Sequence, residues 1–242
     1  MKKALVTGSS KGIGRALALR LARDGFEVYV HYVKDKEMAE AVRAEITQAG
    51  GKAQVVCADL CDPAQAKALA EQTADIDVLV LNASVQYRNS WENISLPECE
   101  KQLNCNFVSS LLLMQAAVNT MRRQKWGRII TIGSVQEKKP HPDMLVYSAS
   151  KAAQTNMMQS LSLQLAQDGI TVNNVAPGVI YTSRNYEALA DAVYAEKVKA
   201  SIPVGFYGLP EDCAGIVSLL CSEEGRYITG QSIYVDGGKS VQ

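Results

Sequence analysis

Short apolar, β-branched runs alternate with longer helical patterns along the whole chain. This alternation constrains the fold most, because parallel strands need long crossover connections and helices supply them. The strand patterns are continuously apolar, as in residues 78–81, which is typical of a sheet that is covered on both faces. We therefore predict an α/β fold with a single doubly wound parallel sheet of about seven strands and helices on both faces.

The predicted elements can be given by their bounds, and no linker, repeat or low-complexity segment divides them, so we predict one domain over residues 1–242. The candidate strands are Lys3–Thr7, Glu27–Tyr32, Ala53–Cys57, Val78–Asn82, Arg128–Ile132, Thr171–Ala176 and Ser232–Val235. The candidate helices are Ile13–Asp24, Asp35–Ala49, Pro63–Gln72, Leu96–Arg123 and Ser148–Gln167.

Composition excludes several classes of function. With 25 basic and 25 acidic residues, nothing in the charge balance indicates a nucleic-acid or membrane partner. Six cysteines without a CxxC pair and only two histidines predict no metal site, and buried reduced thiols are the simplest interpretation. Neither a signal-peptide stretch nor an apolar run of about 18 residues is present, so we expect a cytoplasmic protein.

A glycine-rich turn connects the first strand to the first helix and reads Thr7-Gly8-Ser9-Ser10-Lys11-Gly12-Ile13-Gly14. Glycines at this point of a Rossmann-type sheet let a pyrophosphate approach the backbone and the amides at the helix N-terminus. A plain tight turn is the alternative. An ATP-binding loop would need a lysine directly after the second of its two glycines, but here Lys11 precedes Gly12.

A tyrosine and a lysine four residues apart, Tyr147 and Lys151, open a helical pattern. The spacing places them one turn apart on one face, where the ammonium would lower the pKa of the phenol toward the working range. Ser134 follows the predicted fifth strand, and its hydroxyl could hold a substrate oxygen beside the phenol. Taken alone, the spacing also fits chance, and Ser134 also fits an ordinary loop hydroxyl.

Together the glycine turn, Asn82-Ala83, Ser134, Tyr147-x3-Lys151 and Pro177-Gly178 resemble the short-chain dehydrogenase/reductase family, from Lys3 to Gly238. The resemblance implies an NAD(P)(H)-dependent oxidoreductase that interconverts a ketone and a secondary alcohol. It implies the catalytic residues Asn106, Ser134, Tyr147 and Lys151. It implies a cofactor site that contains Tyr147, Lys151 and Gly8, Ser10, Lys11, Gly12, Ile13, Gly14, Tyr32, Lys34, Asp59, Leu60, Asn82, Ala83, Pro177, Gly178, Ile180 and Thr182. One position departs from the pattern, since Ser84 stands where the family usually has glycine.

The end of the second predicted strand bears on the choice between NAD(H) and NADP(H). NAD-preferring relatives usually carry an aspartate there, which binds the ribose 2′-hydroxyl, and Tyr32 occupies that position here. No carboxylate is then expected to repel a 2′-phosphate, and Lys11 and Lys34 could reach it. We predict NADP(H) over NAD(H), although both lysines could also be solvated surface charges.

The substrate is less constrained by the sequence. The 3-oxoacyl-[acyl carrier protein] reductases and their sugar, polyol and steroid relatives are the most similar members of the family in pattern. Asp168, where the carrier-protein reductases commonly have arginine, weakens that reading. A non-catalytic dinucleotide-binding regulatory protein is a further alternative, and the presence of both Tyr147 and Lys151 disfavours it.

Two segments should surround the substrate. Residues 135–146 lie between two catalytic residues and form a basic rim with Gln136, Lys138, Lys139 and His141, to which Arg88 and Arg184 could add, so a small polar or anionic carbonyl compound is predicted. The alternative is that Lys138 and Lys139 point to water and are balanced by Glu137 and Asp143. Residues 183–208 are predicted to form a lid, and a homotetramer or homodimer is expected from the resemblance.

Overall fold

The computed structural model describes residues 1–242, apart from the side chains of residues 187 and 188. Seven parallel strands form one sheet in the order β3-β2-β1-β4-β5-β6-β7, which confirms the predicted doubly wound sheet. The strands are β1 (Lys3–Val6), β2 (Glu27–Tyr32), β3 (Lys52–Cys57), β4 (Val78–Leu81), β5 (Gly127–Ile132), β6 (Ile170–Pro177) and β7 (Ser232–Val235). The helices are α1 (Gly12–Arg23), α2 (Lys36–Gln48), α3 (Pro63–Gln72), α4 (Leu96–Leu103), α5 (Ser109–Gln124), α6 (Leu145–Leu165), α7 (Tyr186–Ala190), α8 (Ala192–Ala200) and α9 (Pro210–Cys221).

Two apolar cores cover the two faces of the sheet. Helices α1, α2 and α9 pack on one face through side chains such as Leu17, Val42 and Val217. Helices α3, α5 and α6 pack on the other through side chains such as Leu69 and Met121. Both faces are therefore buried, which explains why the central strands are apolar without alternation. None of the described helices is long and apolar enough to cross a membrane.

The predicted helical stretch Leu96–Arg123 is helical throughout, but it is not α-helical over its whole length. A π-helical turn, Asn104–Val108, separates α4 from α5. The hydroxyl of Ser109 donates to the carbonyl of Cys105 at 2.6 Å, and the hydroxyl of Ser110 donates to the carbonyl of Asn106 at 3.2 Å. These side chains supply hydrogen bonds to carbonyls of the widened turn. The turn sets the direction in which Asn106 enters the interior.

The cysteines follow the prediction in part. All six are free, and Cys105, Cys213 and Cys221 are buried. Cys57, which we expected to be buried among apolar neighbours, is exposed. It ends β3, which is an edge strand and is therefore less completely covered than the strands inside the sheet.

Candidate active site

A cleft of about 1260 Å³ runs along the carboxyl ends of the strands. Parallel strands all end at this edge, so each loop that follows a strand contributes to the walls. Two of the predicted site residues, Asn106 and Lys151, do not line the cleft and are buried behind its wall. The predicted residues that line it are Gly8, Ser10, Lys11, Gly12, Ile13, Gly14, Tyr32, Lys34, Asp59, Leu60, Asn82, Ala83, Ser134, Tyr147, Pro177, Gly178, Ile180 and Thr182.

The glycine turn forms a cradle that only glycine can build. Gly8 and Gly12 have φ angles of +64° and +56°, in the left-handed region that favours glycine. A Cβ atom on Gly14 would lie 2.2 Å from the carbonyl oxygen of Gly8. No side chain caps the N-terminus of α1, so the amides of its first turn are open to an anion. The cradle fits the pyrophosphate of a dinucleotide.

Asn82 holds this turn from the neighbouring strand. Its Nδ2 atom donates to the carbonyl oxygens of Thr7 at 2.9 Å and Gly8 at 3.0 Å. In return, the amides of Asn82 and Ala83 donate to the hydroxyl of Thr7 at 2.9 and 3.0 Å. The side chain of Asn82 therefore acts by positioning the cradle.

His31 is a residue of the cradle that the sequence analysis missed. Its Nδ1 atom accepts the Gly8 amide hydrogen at 2.8 Å, and its Nε2 atom lies 3.0 Å from the carbonyl oxygen of Ala58, which can only accept. The ring therefore carries its proton on Nε2 and connects the loops after β1 and β3 to the end of β2. Burial lowers the pKa of His31 to about 4. A histidine at the end of a buried strand was the signal that could have indicated this role.

We expect His31 to make folding stability depend on pH. In the unfolded chain this histidine protonates near pH 6.5, whereas in the folded chain it protonates only near pH 4. Between these two values the unfolded chain therefore binds one more proton than the folded chain. Stability should therefore fall with falling pH across this window, by up to roughly 3 kcal/mol from this residue. Urea unfolding at pH 7.5 and pH 5 measures the loss.

The His31→Gln variant should be less stable at pH 7.5 and should show a smaller loss between pH 7.5 and pH 5. His141→Gln is the matched control, since it removes the other histidine, which is partly exposed on the cleft rim. If the free energy of unfolding depended on pH equally in the parent and in His31→Gln, His31 would not be the group responsible for the pH dependence.

Ser134, Tyr147 and Lys151 converge where β5 meets α6. The helix starts at Leu145, three residues before the predicted start, so Tyr147 lies in its first turn. The Lys151 ammonium donates to the carbonyl oxygen of Ile132 at 2.7 Å and to Oε1 of Gln154 at 3.2 Å. Its Nζ atom lies 5.9 Å from the centre of the Tyr147 ring. All three predicted side chains are buried.

The electrostatics of this group differ from the sequence-based expectation. We expected Lys151 to lower the pKa of Tyr147. Instead, burial raises the pKa of Tyr147, and the opposing influences are the cation of Arg184 and hydrogen bonding with Ser134 and Ser84. Burial, with a contribution from Arg184, lowers the pKa of Lys151 to about 8. The charge of Arg184 is the largest of the influences that lower the pKa of Tyr147.

The side chain of Asn106 makes hydrogen bonds that hold neighbouring segments in place. Its Oδ1 atom accepts the Val85 amide hydrogen at 2.9 Å, and its Nδ2 atom donates to the carbonyl of Val85 at 3.0 Å and to the hydroxyl of Ser150 at 2.9 Å. These bonds connect the π turn to the loop after β4 and to α6. The side chain makes no hydrogen bond to Lys151, so it fixes the wall of the site.

Glu137 turns inward, contrary to the alternative in which it balances the rim lysines. Its carboxylate accepts hydrogen bonds from Asn174 at 2.9 Å, Thr155 at 2.8 Å and Ser232 at 3.1 Å. It also lies 3.4 Å from the amide of Ser134. Glu137 thus anchors the loop that carries Ser134 to α6, β6 and β7.

A carboxylate lies at the end of the cleft formed by β2 and α1, where none was expected. Asp35 precedes α2, and its Oδ2 atom lies 3.0 Å from the Lys11 ammonium. Both side chains line the cleft together with Lys34. Tyr32 ends β2 as predicted, so that position carries no carboxylate, but the turn after β2 brings Asp35 to Lys11 of the glycine loop.

The opposite end of the cleft carries cations. Arg88, Lys139, Arg184 and Lys239 line it, together with the imidazole of His141. The carboxylates among the described lining residues, Asp35 and Asp59, follow β2 and β3 at the other end. Lys138 does not line the cleft, and its ammonium lies 5.6 Å from the centre of the Tyr234 ring.

The segment 183–208 folds as α7 and α8 followed by a turn. Leu189, Tyr194 and Val198 line the cleft. Tyr207 instead donates its hydroxyl to the carbonyl of Ala195 at 2.5 Å, and Phe206 is exposed. Among the aromatic residues of this segment, Tyr194 therefore faces the cleft and Tyr207 packs the segment itself.

Comparisons with known proteins agree with this geometry. A family model described as enoyl-(acyl carrier protein) reductase matches residues 8–240. The 3-oxoacyl-[acyl-carrier-protein] reductase FabG of Staphylococcus aureus is 38% identical over 98% of this chain and 97% of its own length. A solved structure from Beutenbergia cavernae, assigned as an NAD(P)-dependent gluconate 5-dehydrogenase with bound NADP, has a TM-score of 0.95 and 34% identity over 100% of this chain and 97% of that one. An NADP-bound 3-oxoacyl (acyl-carrier-protein) reductase from Agrobacterium tumefaciens has a TM-score of 0.93 and 35% identity over 98% and 93%.

Proposed function

This chain belongs to the short-chain dehydrogenase/reductase family, and from that premise we propose that its substrate is a small polar or anionic carbonyl compound. The reaction class is that of an NAD(P)(H)-dependent oxidoreductase, which interconverts a ketone and a secondary alcohol. Its cofactor is NADP(H), as predicted from Tyr32, Lys11 and Lys34. Lys34 lines the same end of the cleft as Lys11 and adds a second ammonium there. The ammonium of Lys11 forms an ion pair with Asp35.

The proposed mechanism assigns one task to each buried side chain. When bound, the nicotinamide supplies or accepts the hydride. The hydroxyls of Ser134 and Tyr147 donate hydrogen bonds to the carbonyl oxygen, and Tyr147 gives that oxygen its proton. Lys151, with a pKa of about 8, is poised to return a proton toward the phenol near neutral pH.

The observation that carries the proposed substrate class is the distribution of charge along the cleft. Cations line the substrate end, whereas Asp35 and Asp59 stand at the end formed by β2 and β3. A cation in a partly enclosed site binds a carboxylate, a phosphate or several hydroxyls better than it binds a steroid or a long acyl chain. The gluconate 5-dehydrogenase assignment of the Beutenbergia cavernae structure supports an acidic, hydroxylated substrate.

A competition experiment tests the substrate class. With saturating NADPH, a keto sugar acid, a steroid ketone and a 3-oxoacyl thioester are offered at equal concentration, and each product is quantified. We expect the keto sugar acid to be reduced fastest and Lys139→Ala to slow it. Lys138→Ala is the matched control, because Lys138 does not line the cleft. Faster reduction of the steroid ketone, unchanged in Lys139→Ala, would contradict the proposal.

Reduction of a 3-oxoacyl group on a carrier protein is the second candidate function. The relatives from Staphylococcus aureus and Agrobacterium tumefaciens favour it. Asp168 disfavours it, because its carboxylate lies 2.8 Å from Arg122 and 3.0 Å from Lys125 and neutralises part of the basic surface that a carrier protein would meet. The thioester in the competition experiment distinguishes the two candidates.

Three further expectations belong to this proposal. Residues 183–208 act as a substrate lid on a single domain, which the cleft-facing Tyr194 supports. A homotetramer or homodimer forms through α4 to α6, where Leu96 and Leu163 are exposed. The protein works in the cytoplasm, where its six free cysteines stay reduced.

A further inference from the structure

Ser84 meets Arg184 across the cleft, at the position where the family pattern has glycine. One terminal nitrogen of the guanidinium donates to the Ser84 hydroxyl at 3.1 Å, and the other donates to the Ser84 carbonyl at 2.8 Å. The serine follows β4, and the arginine follows β6, so the pair joins two walls of the cleft. A glycine would remove the first of these two bonds.

The pair lies beside the reacting groups. Hydrogen bonding with Ser84 and the charge of Arg184 both lower the pKa of Tyr147, and Arg184 also lowers the pKa of Lys151. Charges influence each other this way only over short distances in a partly enclosed site. Arg184 also lines the same cleft as Ser134 and Tyr147, so the guanidinium borders the space in which a substrate carbonyl would meet the phenol.

Ser84 does not neutralise the charge of Arg184. Both acceptors on Ser84 are neutral, and a guanidinium has five N–H donors, so further donors stay available. No carboxylate among the described side chains lies within 4.0 Å of Arg184. A planar, pre-oriented guanidinium is suited to binding a carboxylate with two parallel hydrogen bonds.

We propose that Arg184, oriented by Ser84, binds the carboxylate of a 2-oxo or 3-oxo acid substrate. The proposal rests on the function proposed above and narrows its substrate class. The substrate carbonyl oxygen must lie about 2.7 Å from the phenol and its carboxylate about 2.8 Å from the guanidinium. Because Ser84, Tyr147 and Arg184 line the same cleft, we take the carboxylate to follow the ketone by one or two carbon–carbon bonds.

The test compares 3-oxobutanoate with its methyl ester, which has the same ketone but no charge. In Arg184→Met, kcat/KM for 3-oxobutanoate should fall by about 10–100-fold, as expected for lost charge-assisted hydrogen bonds. The methyl ester shares the effect of Arg184 on the Tyr147 phenol but lacks the carboxylate contact, so its kcat/KM should fall at least about 10-fold less than that of 3-oxobutanoate. Ser84→Gly should raise KM for 3-oxobutanoate more than it lowers kcat, and Ser84→Thr, which keeps the hydroxyl, should restore KM. Lys138→Met is the matched control, because it removes a cation that does not line the cleft. It should leave kcat/KM for both substrates unchanged.

Two binding measurements separate the possible failures. The Kd for NADPH, measured by fluorescence, should change by less than about 3-fold in Arg184→Met. A large loss of NADPH affinity, together with an equal fall in kcat/KM for both substrates, would show that Arg184 binds the cofactor. That result would overturn the inference. Calorimetric titration of 3-oxobutanoate onto the NADP-loaded protein should show binding that Arg184→Met abolishes. Such binding without turnover of any ketone would refute the proposed function alone. Ketone turnover without Arg184-dependent carboxylate binding would refute the inference alone.

Discussion

Replacing Tyr147 by phenylalanine is expected to lower kcat at least ~100-fold, the effect typical of a lost general acid. The phenol is buried, lines the cleft together with Ser134, and lies one helical turn before Lys151. The substitution removes one oxygen atom and keeps the ring, so packing in the first turn of α6 should survive. The measurement is the single-turnover rate of NADPH oxidation with a saturating ketone.

NADPH affinity and thermal stability should remain near those of the parent in Tyr147→Phe. Tyr227→Phe is the matched control, since it removes the same atom from a side chain that is 98% exposed. Parental turnover in Tyr147→Phe would refute the assignment of the phenol as proton donor. A loss of turnover that is matched by an equal loss of NADPH affinity would instead indicate a role in holding the cofactor.

Gly14→Ala is expected to raise the Kd for NADPH at least about 100-fold, because two or more charge-assisted hydrogen bonds to the pyrophosphate should be lost. A Cβ atom at this position would lie 2.2 Å from the carbonyl oxygen of Gly8 and 2.5 Å from Nδ2 of Asn82. Neither atom can yield without opening the cradle. Overpacking of this kind should also cost about 1–3 kcal/mol of stability. Fluorescence titration with NADPH and urea unfolding measure the two effects.

Gly215→Ala is the matched control for this substitution. Gly215 lies inside α9, and a Cβ atom there would meet no atom within 4 Å apart from its chain neighbours and the backbone of its own helix. Alanine should therefore stabilise the protein by about 0.5–1 kcal/mol, since it has the higher helix propensity. NADPH affinity should not change. If Gly14→Ala bound NADPH like the parent, the cradle would not be the pyrophosphate site.

The strand pattern was sufficient to predict where chemistry would lie, because the carboxyl ends of parallel strands share one edge of the sheet. Residues at the end of a strand or just after it, such as Asn82, Ser134 and Pro177, could therefore be placed at the cleft without knowledge of packing. The helical spacing of Tyr147 and Lys151 likewise follows from local geometry. Both predictions depend on the repeat of side-chain positions within a single strand or helix, and this repeat can be seen in the sequence.

Only the tertiary structure decided which side chains from different loops meet. Arg184 contacts Ser84 across 100 residues of chain, and His31 receives the amide of Gly8 across 23 residues. Lys11 meets Asp35 across 24 residues, a contact that the pattern at the end of β2 did not indicate. Such contacts depend on loop conformation and on the directions of individual side chains, which hydrophobic periodicity does not encode. The sequence by itself thus determined the sheet, the cradle and the positions of the catalytic side chains, whereas packing between loops determined the charges that surround them.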